Sequence, residues 1–186
     1  MIELSDDDYI GRGIAKIVYR HPFDPSLCIK FPNKSKKRAE QDILREIKYL
    51  KKHQENLPWL SHYRGVVNSN FGRGYAYELV KNEDGSPSVS LDKCRHTKDR
   101  RVLREKVSSM YFQLIDEHAV VNDLSLSNFL IKDKTDGNFD LILIDGFGNS
   151  NFIKIADFSR FLLLKKLNRK FTKLCRKLDI PSDFLV

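Results

Sequence analysis

"VVNDLSLSNFLI", residues Val120 to Ile131, is an apolar run holding two polar groups, the carboxylate of Asp123 and the amide of Asn128. Its last residues, "NFLI", read as the start of a strand. A turn, "KDKTDGN", leads into a second strand, "FDLILID", which ends on Asp145. Two apolar runs around an Asp-Gly tip predict a hairpin, so Asn128 and Asp145 fall at neighbouring strand ends. Two polar residues on one loop and a carboxylate on the returning strand suit a divalent cation held with phosphates. Mg²⁺ takes few oxygens from protein and the rest from phosphate and water. Asp123 then stands where an acceptor hydroxyl could be held and relieved of its proton. The same residues also fit a plainer role, with Asp123 and Asn128 as loop caps and Asp145 opening a turn at Gly146.

Upstream, "DYIGRG" and "AKIVYRH" flank a glycine turn and "LCIKF" follows, which predicts three short strands. "KKRAEQDILREIKYLKKH" is helical, with Ala39, Ile43, Ile47 and Leu50 recurring on one face. "YRGVVNSN" and "GRGYAYELV" read as a strand pair, and "KNEDGSPSVS" as a linker. A second helix runs from Lys98 to Asp116, with Val102, Val107, Met110, Tyr111 and Leu114 toward a core, and a last one from Phe161 to Leu178. The expected organisation is a β-rich half, 1–80, and a mostly helical half, 81–186.

With 186 residues and a net charge of +8, the chain can build one sizeable core or two small lobes, and its basicity favours an anionic partner. No apolar run is long enough for a membrane helix. The acidic start, "MIELSDDDYIG", is not a secretory address, and Cys28, Cys94 and Cys175 lack metal-ligand or disulfide spacing, so reduced thiols in the cytoplasm are expected. The five histidines share no metal-ligand spacing, and Trp59 reads as a core anchor.

Within the first half, Gly11 and Gly13 lie between two strands, where backbone N–H groups can approach phosphate. Lys30 sits in an apolar strand, and Glu46 on the next helix could pair with it in a buried position. In element order and motif order the chain resembles the protein-kinase-like superfamily over residues 9 to 158. That resemblance implies an α+β, bilobal fold with a β-rich N-lobe and a short, mostly helical C-lobe. It further implies a glycine-rich loop of Gly11, Gly13 and Val18, with Cys28 facing adenine and Lys30 on the phosphates. Glu46 becomes the partner of Lys30, and "YELV" the hinge, with the backbones of Glu78 and Val80 on adenine. Asp123 is then the catalytic base, while Asn128 and Asp145 are the metal ligands; ATP and Mg²⁺ are the cofactors. "LIDGFGN" and the basic last helix are similar, more narrowly, to the bacterial PhoP-regulatory-network family.

The departures shape the expected chemistry. Lys16 stands where the third glycine of the loop would be, Val121 and Asn122 replace His-Arg, and Ser125 replaces a lysine. A glycine intervenes in "DGFG". A rival metal aspartate, Asp157 in "IKIADFSR", lies further from Asn128 than a simple two-strand return accommodates. Little chain follows Asp145 for a protein-substrate platform, which points to a small-molecule, sugar or lipid-linked hydroxyl acceptor. In the tail, Phe161, Leu164, Leu167, Phe171, Leu174 and Leu178 form an apolar stripe, beside the cations Lys165, Lys166, Arg169, Lys170, Lys173, Arg176 and Lys177. The stripe fits packing on its own domain; the cations also fit peripheral contact with an acidic membrane face. Phosphotransfer and a nucleotide-binding regulatory module without turnover both remain open. A nucleic-acid binder ranks last, because no binding motif or interleaved surface aromatics support it.

Overall fold

The structure, a computed structural model, describes residues 1–148 and 159–186. Its fold is mixed α+β, with antiparallel sheets and several helices. The chain divides into two compact units, residues 1–54 with 61–80, and 55–60 with 81–186.

In the first unit β1 (Tyr9–Arg12), β2 (Lys16–Arg20), β3 (Leu27–Pro32), β4 (Tyr63–Ser69) and β5 (Gly72–Glu78) form a five-stranded sheet in the order β1-β2-β3-β5-β4. One face holds Ile29 and Phe31 with Leu4, and Ile2, Tyr19 and Val67 pack against them. Helix α1 (Ala39–His53) buries Ala39, Ile43, Ile47 and Leu50, the stripe expected from its periodicity. It begins later than the sequence pattern predicts, because Arg38 takes a left-handed conformation, φ 70°, that helix cannot continue through. At Gly74 on β5 the side chains of Ile29 and Phe31 on β3 fill the space a side chain would take. A Cβ there would lie 2.5 Å from Ile29 Cγ2 and 2.7 Å from Phe31 Cε1.

The second unit is built around α3 (Arg100–Asp116) and α4 (Arg160–Leu178), with a three-stranded sheet of β6 (Val89–Ser90), β7 (Phe129–Asp133) and β8 (Phe139–Leu143). Asp99 caps α3, its carboxylate accepting from the N–H groups of Arg101 and Val102 at 2.7 and 3.2 Å. Leu103, Val107, Met110, Tyr111, Leu114 and Ile115 are buried. Leu103 thus takes the inward place that the sequence pattern assigns to Val102. Trp59 is buried, and its indole N–H donates to Gln113 at 2.5 Å.

Two sequence expectations need correction. The segment read as a linker is not simply a tether: Val89 pairs with Ile131 and Ser90 with Leu130, and the short helix α2 (Leu91–Cys94) follows at once. Its turn is fastened to the hairpin, since Glu83 N–H donates to the Asp133 carbonyl at 2.9 Å, and Thr135 N–H donates to the Glu83 carboxylate at 2.6 Å. Composition marks such a stretch as turn-rich but cannot show which edge it joins. On α4 the buried row is Leu163, Leu167, Phe171, Leu174, Cys175 and Leu178, whereas Phe161 is 72% exposed. The stripe is rotated from the expected one because Leu163, not Leu164, points inward. Burial pushes the Cys175 thiol up to about 11. No helix among the described residues is long and apolar enough to cross a membrane.

Gly74→Ala should lower stability by about 1–3 kcal/mol through overpacking against Ile29 and Phe31. A lower urea midpoint with unchanged slope checks it.

Candidate functional site

Strand register assembles the first group of residues. Gly11 lies opposite Val18, Val18 opposite Lys30, and Lys30 opposite Tyr75. Directly opposed residues share a face and every second residue along a strand returns to it. Gly11, Lys16, Val18, Cys28 and Lys30 therefore lie on one face of the sheet. Helix α1 meets that face: its Glu40 accepts from the Tyr75 hydroxyl at 3.0 Å.

Lys30 is 5% exposed, with its ammonium 4.0 Å from the centroid of the Tyr77 ring. Cys28 is buried, its thiol pushed up by loss of water. Glu46 has a partner the sequence reading did not assign to it. Lys16 Nζ donates to Glu46 Oε2 at 2.7 Å, with side chains 7% and 10% exposed. Lys16 had stood out only as a missing glycine; in the fold it carries a charge to the helix glutamate.

Packing within the chain does not call for glycine at the β1–β2 turn. A Cβ at Gly11 would meet nothing within 4 Å, and at Gly13 only the Lys16 carbonyl at 3.8 Å. The tip is held from below. Asn33 Nδ2 donates to the carbonyls of Gly13 and Ile14 at 3.3 and 3.1 Å, and Asn33 N–H to that of Ala15 at 2.8 Å. Asn33, just past an apolar strand, gave no sign of this in sequence.

The expected hinge positions differ from each other. The Glu78 N–H donates to the His62 carbonyl at 2.9 Å, and the Glu78 carbonyl accepts from the Ser61 hydroxyl at 2.9 Å. Its side chain pairs with Arg64. Val80 leads into an antiparallel bridge between Lys81 and Pro87, where Asn82 N–H donates to the Ser86 carbonyl at 3.0 Å.

In the second unit, the hairpin expected from "NFLI" and "FDLILID" forms, pairing Phe129 with Leu143 and Asp133 with Phe139. Ile144 N–H donates to the Asn128 carbonyl at 2.8 Å, which brings Asn128 and the segment carrying Asp145 together. A 3-10 turn, Leu126–Asn128, separates Asp123 from β7.

The Asp123 carboxylate is oriented through both oxygens. Oδ1 accepts from the Ser125 N–H at 3.0 Å and hydroxyl at 2.6 Å, and Oδ2 accepts from Asn128 Nδ2 at 3.1 Å. Asp123 is nonetheless exposed. The Asp145 carboxylate accepts from the Gly146 N–H at 2.7 Å.

Gly146 is the residue on which this arrangement closes. Its carbonyl accepts from the N–H groups of Asn122 and Asp123 at 2.7 and 3.1 Å, and its φ is +83°. A Cβ there would stand 2.5 Å from the Asp123 carbonyl, 2.9 Å from Asp123 Cβ and 3.2 Å from Asn128 Nδ2. Next to it, Val121 bridges Phe147, and Gly148 N–H donates to the Val120 carbonyl at 2.8 Å. The inserted glycine of "DGFG" thus allows two backbones to touch. From α4, Lys170 Nζ donates to the Asn122 carbonyl. Burial lowers the pKa of Lys170, and the charge of Asp123 opposes that.

The donor set fits Mg²⁺. The Asn128 amide nitrogen is turned to Asp123, so its amide oxygen is the atom that could serve a cation, and the Ile144 N–H ties Asn128 to the segment carrying Asp145. No group of three His, Cys, Asp or Glu among the described residues could enclose a metal, so a cation here would draw most of its oxygens from phosphate and water. The rival motif, Asp157 and Phe158, lies outside the described residues.

Comparison with known proteins identifies the family. The family model described as PhoP regulatory network protein YrbL matches residues 2–179. Over 176 residues the chain is 29% identical to the uncharacterized protein YrbL of Escherichia coli (strain K12), covering 91% of this chain and 84% of the relative. The protein of that name from Shigella flexneri matches to the same extent. The chain belongs to the YrbL family of the PhoP regulatory network.

Gly146→Ala should cost at least about 1–2 kcal/mol from left-handed backbone alone, and more from the clash with Asp123. Urea unfolding together with the amide resonances of Asn122 and Asp123 checks it. Lys16→Met and Glu46→Gln should couple by more than about 1 kcal/mol in a double-mutant cycle of stability.

Proposed function

We propose that this YrbL-family chain is an ATP- and Mg²⁺-dependent phosphotransferase of bilobal, protein-kinase-like architecture, acting on a small-molecule, sugar or lipid-linked hydroxyl. One observation carries it. Gly146 presses the Asp145 segment against the Asp123–Asn128 loop, so a base and two oxygen ligands stand at one end of a hairpin. The bond from Asn128 to its second oxygen sets Asp123 apart from the Asp-x-Ser turn that Asp24 makes with Ser26.

Each residue's role follows from its chemistry. Asp123 Oδ2 keeps a lone pair after its bond from Asn128, and that position accepts the acceptor's proton. The acceptor oxygen then forms its bond to the γ-phosphorus as the bond from that phosphorus to the bridging oxygen breaks, and ADP leaves. Asn128 and Asp145 would hold Mg²⁺, which when bound supplies charge neutralisation at the phosphates. Lys30 is assigned to phosphate oxygens, with Gly11 and Gly13 leaving the loop open to them and Val18 and Cys28 beside the adenine. The backbones of Glu78 and Val80 are assigned to the base. The three cysteines are free thiols, in keeping with a reducing, cytoplasmic location.

A regulatory module that binds nucleotide without turnover is favoured by one set of contacts. Glu46 is engaged by Lys16 at 2.7 Å, and the Glu78 carbonyl is taken by Ser61. Both groups would be shared with, or withheld from, a nucleotide.

Thermal unfolding against ATP, with and without Mg²⁺, tests the proposal. A ligand at a hundred times its dissociation constant adds about 2.7 kcal/mol. The expected result is a Mg²⁺-dependent rise in Tm, lost in Asp145→Ala; no rise at millimolar ATP overturns nucleotide binding. Asp123→Ala should keep the rise and abolish ATP turnover. A protein that binds ATP·Mg²⁺ but turns nothing over in either form supports the regulatory module instead.

A further inference from the structure

Helix α4 is amphipathic in an ordinary way along most of its length. Leu163, Leu167, Phe171 and Leu174 point inward, while Lys165, Arg169 and Lys173 are exposed. Lys170 belongs to neither set. It is half-buried, and its ammonium is fixed on the carbonyl of Asn122, the residue before Asp123.

An ammonium carries three N–H donors. Among the described residues the Asn122 carbonyl is the acceptor that Lys170 meets, which leaves two donors unfilled. Burial already disfavours its charge, and Arg169 and Lys173 repel it further; the charge of Asp123 acts the other way. The spare donors of a half-buried ammonium are filled by water or by an anion, and partial loss of water strengthens its attraction for the anion. Among the described residues Lys170 bonds the Asn122 carbonyl rather than the Asp123 carboxylate, whose oxygens accept from Ser125 and Asn128. As a mere strut for the Asn122 carbonyl, Lys170 would need neither its partial burial nor a second cation, Lys173, on the next turn. A strut would also be served by a neutral donor.

We propose that Lys170, supported by Lys173, forms an anion subsite beside Asp123, and that the acceptor of this protein carries a phosphate group as well as its reactive hydroxyl. The ammonium of Lys170 holds the acceptor's phosphate as a point charge, and so orients the neighbouring hydroxyl toward Asp123. This deepens the phosphotransfer reading and rests on it for the role of Asp123. The phosphate belongs either to a soluble phosphorylated alcohol or to a phospholipid headgroup; the chemistry at Lys170 is the same.

The test is an NMR titration of the ¹⁵N-labelled full chain with inorganic phosphate, at ionic strength held constant with chloride. The expected result is a saturable shift confined to the amides of Asn122 to Ser125 and to the turn around Lys170. Lys170→Met should weaken binding at least tenfold and Lys170→Arg should retain it. Lys173→Met, at an exposed position, should weaken it several-fold, and Lys165→Met should leave it unchanged. Equal binding by Lys170→Met, or small shifts spread over all lysines, overturns the proposal. Should Lys170→Met not fold, Lys173→Met decides, and undiminished binding in it overturns the proposal. A second arm adds glycerol 3-phosphate or phosphatidylglycerol vesicles. Lys170-dependent shifts with the former assign the phosphate to a soluble acceptor, and Lys170-dependent co-sedimentation with the latter to a headgroup. Neither arm uses ATP or turnover. ATP·Mg²⁺ binding without phosphate binding therefore overturns this subsite alone. Phosphate binding without ATP binding overturns phosphotransfer and leaves the subsite standing.

Discussion

The absence of a side chain at Gly146 is the constraint on which the second unit's chemistry depends. Two backbones meet there, one carrying Asp123 and the other Asp145, and the gap between them does not admit a methyl group. The Gly146 carbonyl takes the N–H groups of Asn122 and Asp123, and the β7–β8 hairpin supplies the opposite side through Ile144 and Asn128. Once that contact is made, little freedom is left for the loop. Ser125 and Asn128 then orient the Asp123 carboxylate. The apolar residues on either side, Val120, Val121, Leu124 and Leu126, are buried while Asp123 stays exposed.

The first unit rests on a buried charge. Lys16 and Glu46 would each be costly alone in their nearly dry positions, and together they compensate. The pair also links β2 to α1, the two elements that flank the face carrying Lys30. Its value is better read as specification than as stability, since apolar residues of similar size could fill the same space. Lys30 itself lies against the Tyr77 ring, which suits a cation that must remain charged while removed from water. The turn at Gly13 is tied to Asn33 below it, so this loop is a supported structure and not a loose flap.

Much of this was legible in the sequence because it is local. The three-and-four spacing of Ala39, Ile43, Ile47 and Leu50 marks α1 and its buried face without help from any neighbour. The apolar runs around Asp136-Gly137 mark a hairpin, and with it the proximity of Asn128 to the Asp145 segment. The linker is the counterexample. "KNEDGSPSVS" has the composition of a tether, yet Val89 and Ser90 form an edge strand, because β7 offered an unpaired edge that no local pattern reveals. On α4 a shift of one position, Leu163 for Leu164, separates the expected stripe from the buried one, since a leucine run reads as apolar in either phase.

By itself, then, the sequence determined the longer helices and most of the strands, their order and the identity of the polar residues set into apolar runs. Those features follow from spacing along the chain and from the conformations that Gly, Pro and branched residues prefer. The tertiary structure alone decided that Lys16 meets Glu46, that Asn33 supports the glycine turn, that Gly146 touches Asp123, and that Lys170 reaches Asn122. Each of these joins residues far apart in sequence through a contact a few ångströms long. Such contacts are set by packing across whole elements, and side-chain type at one position carries no record of them.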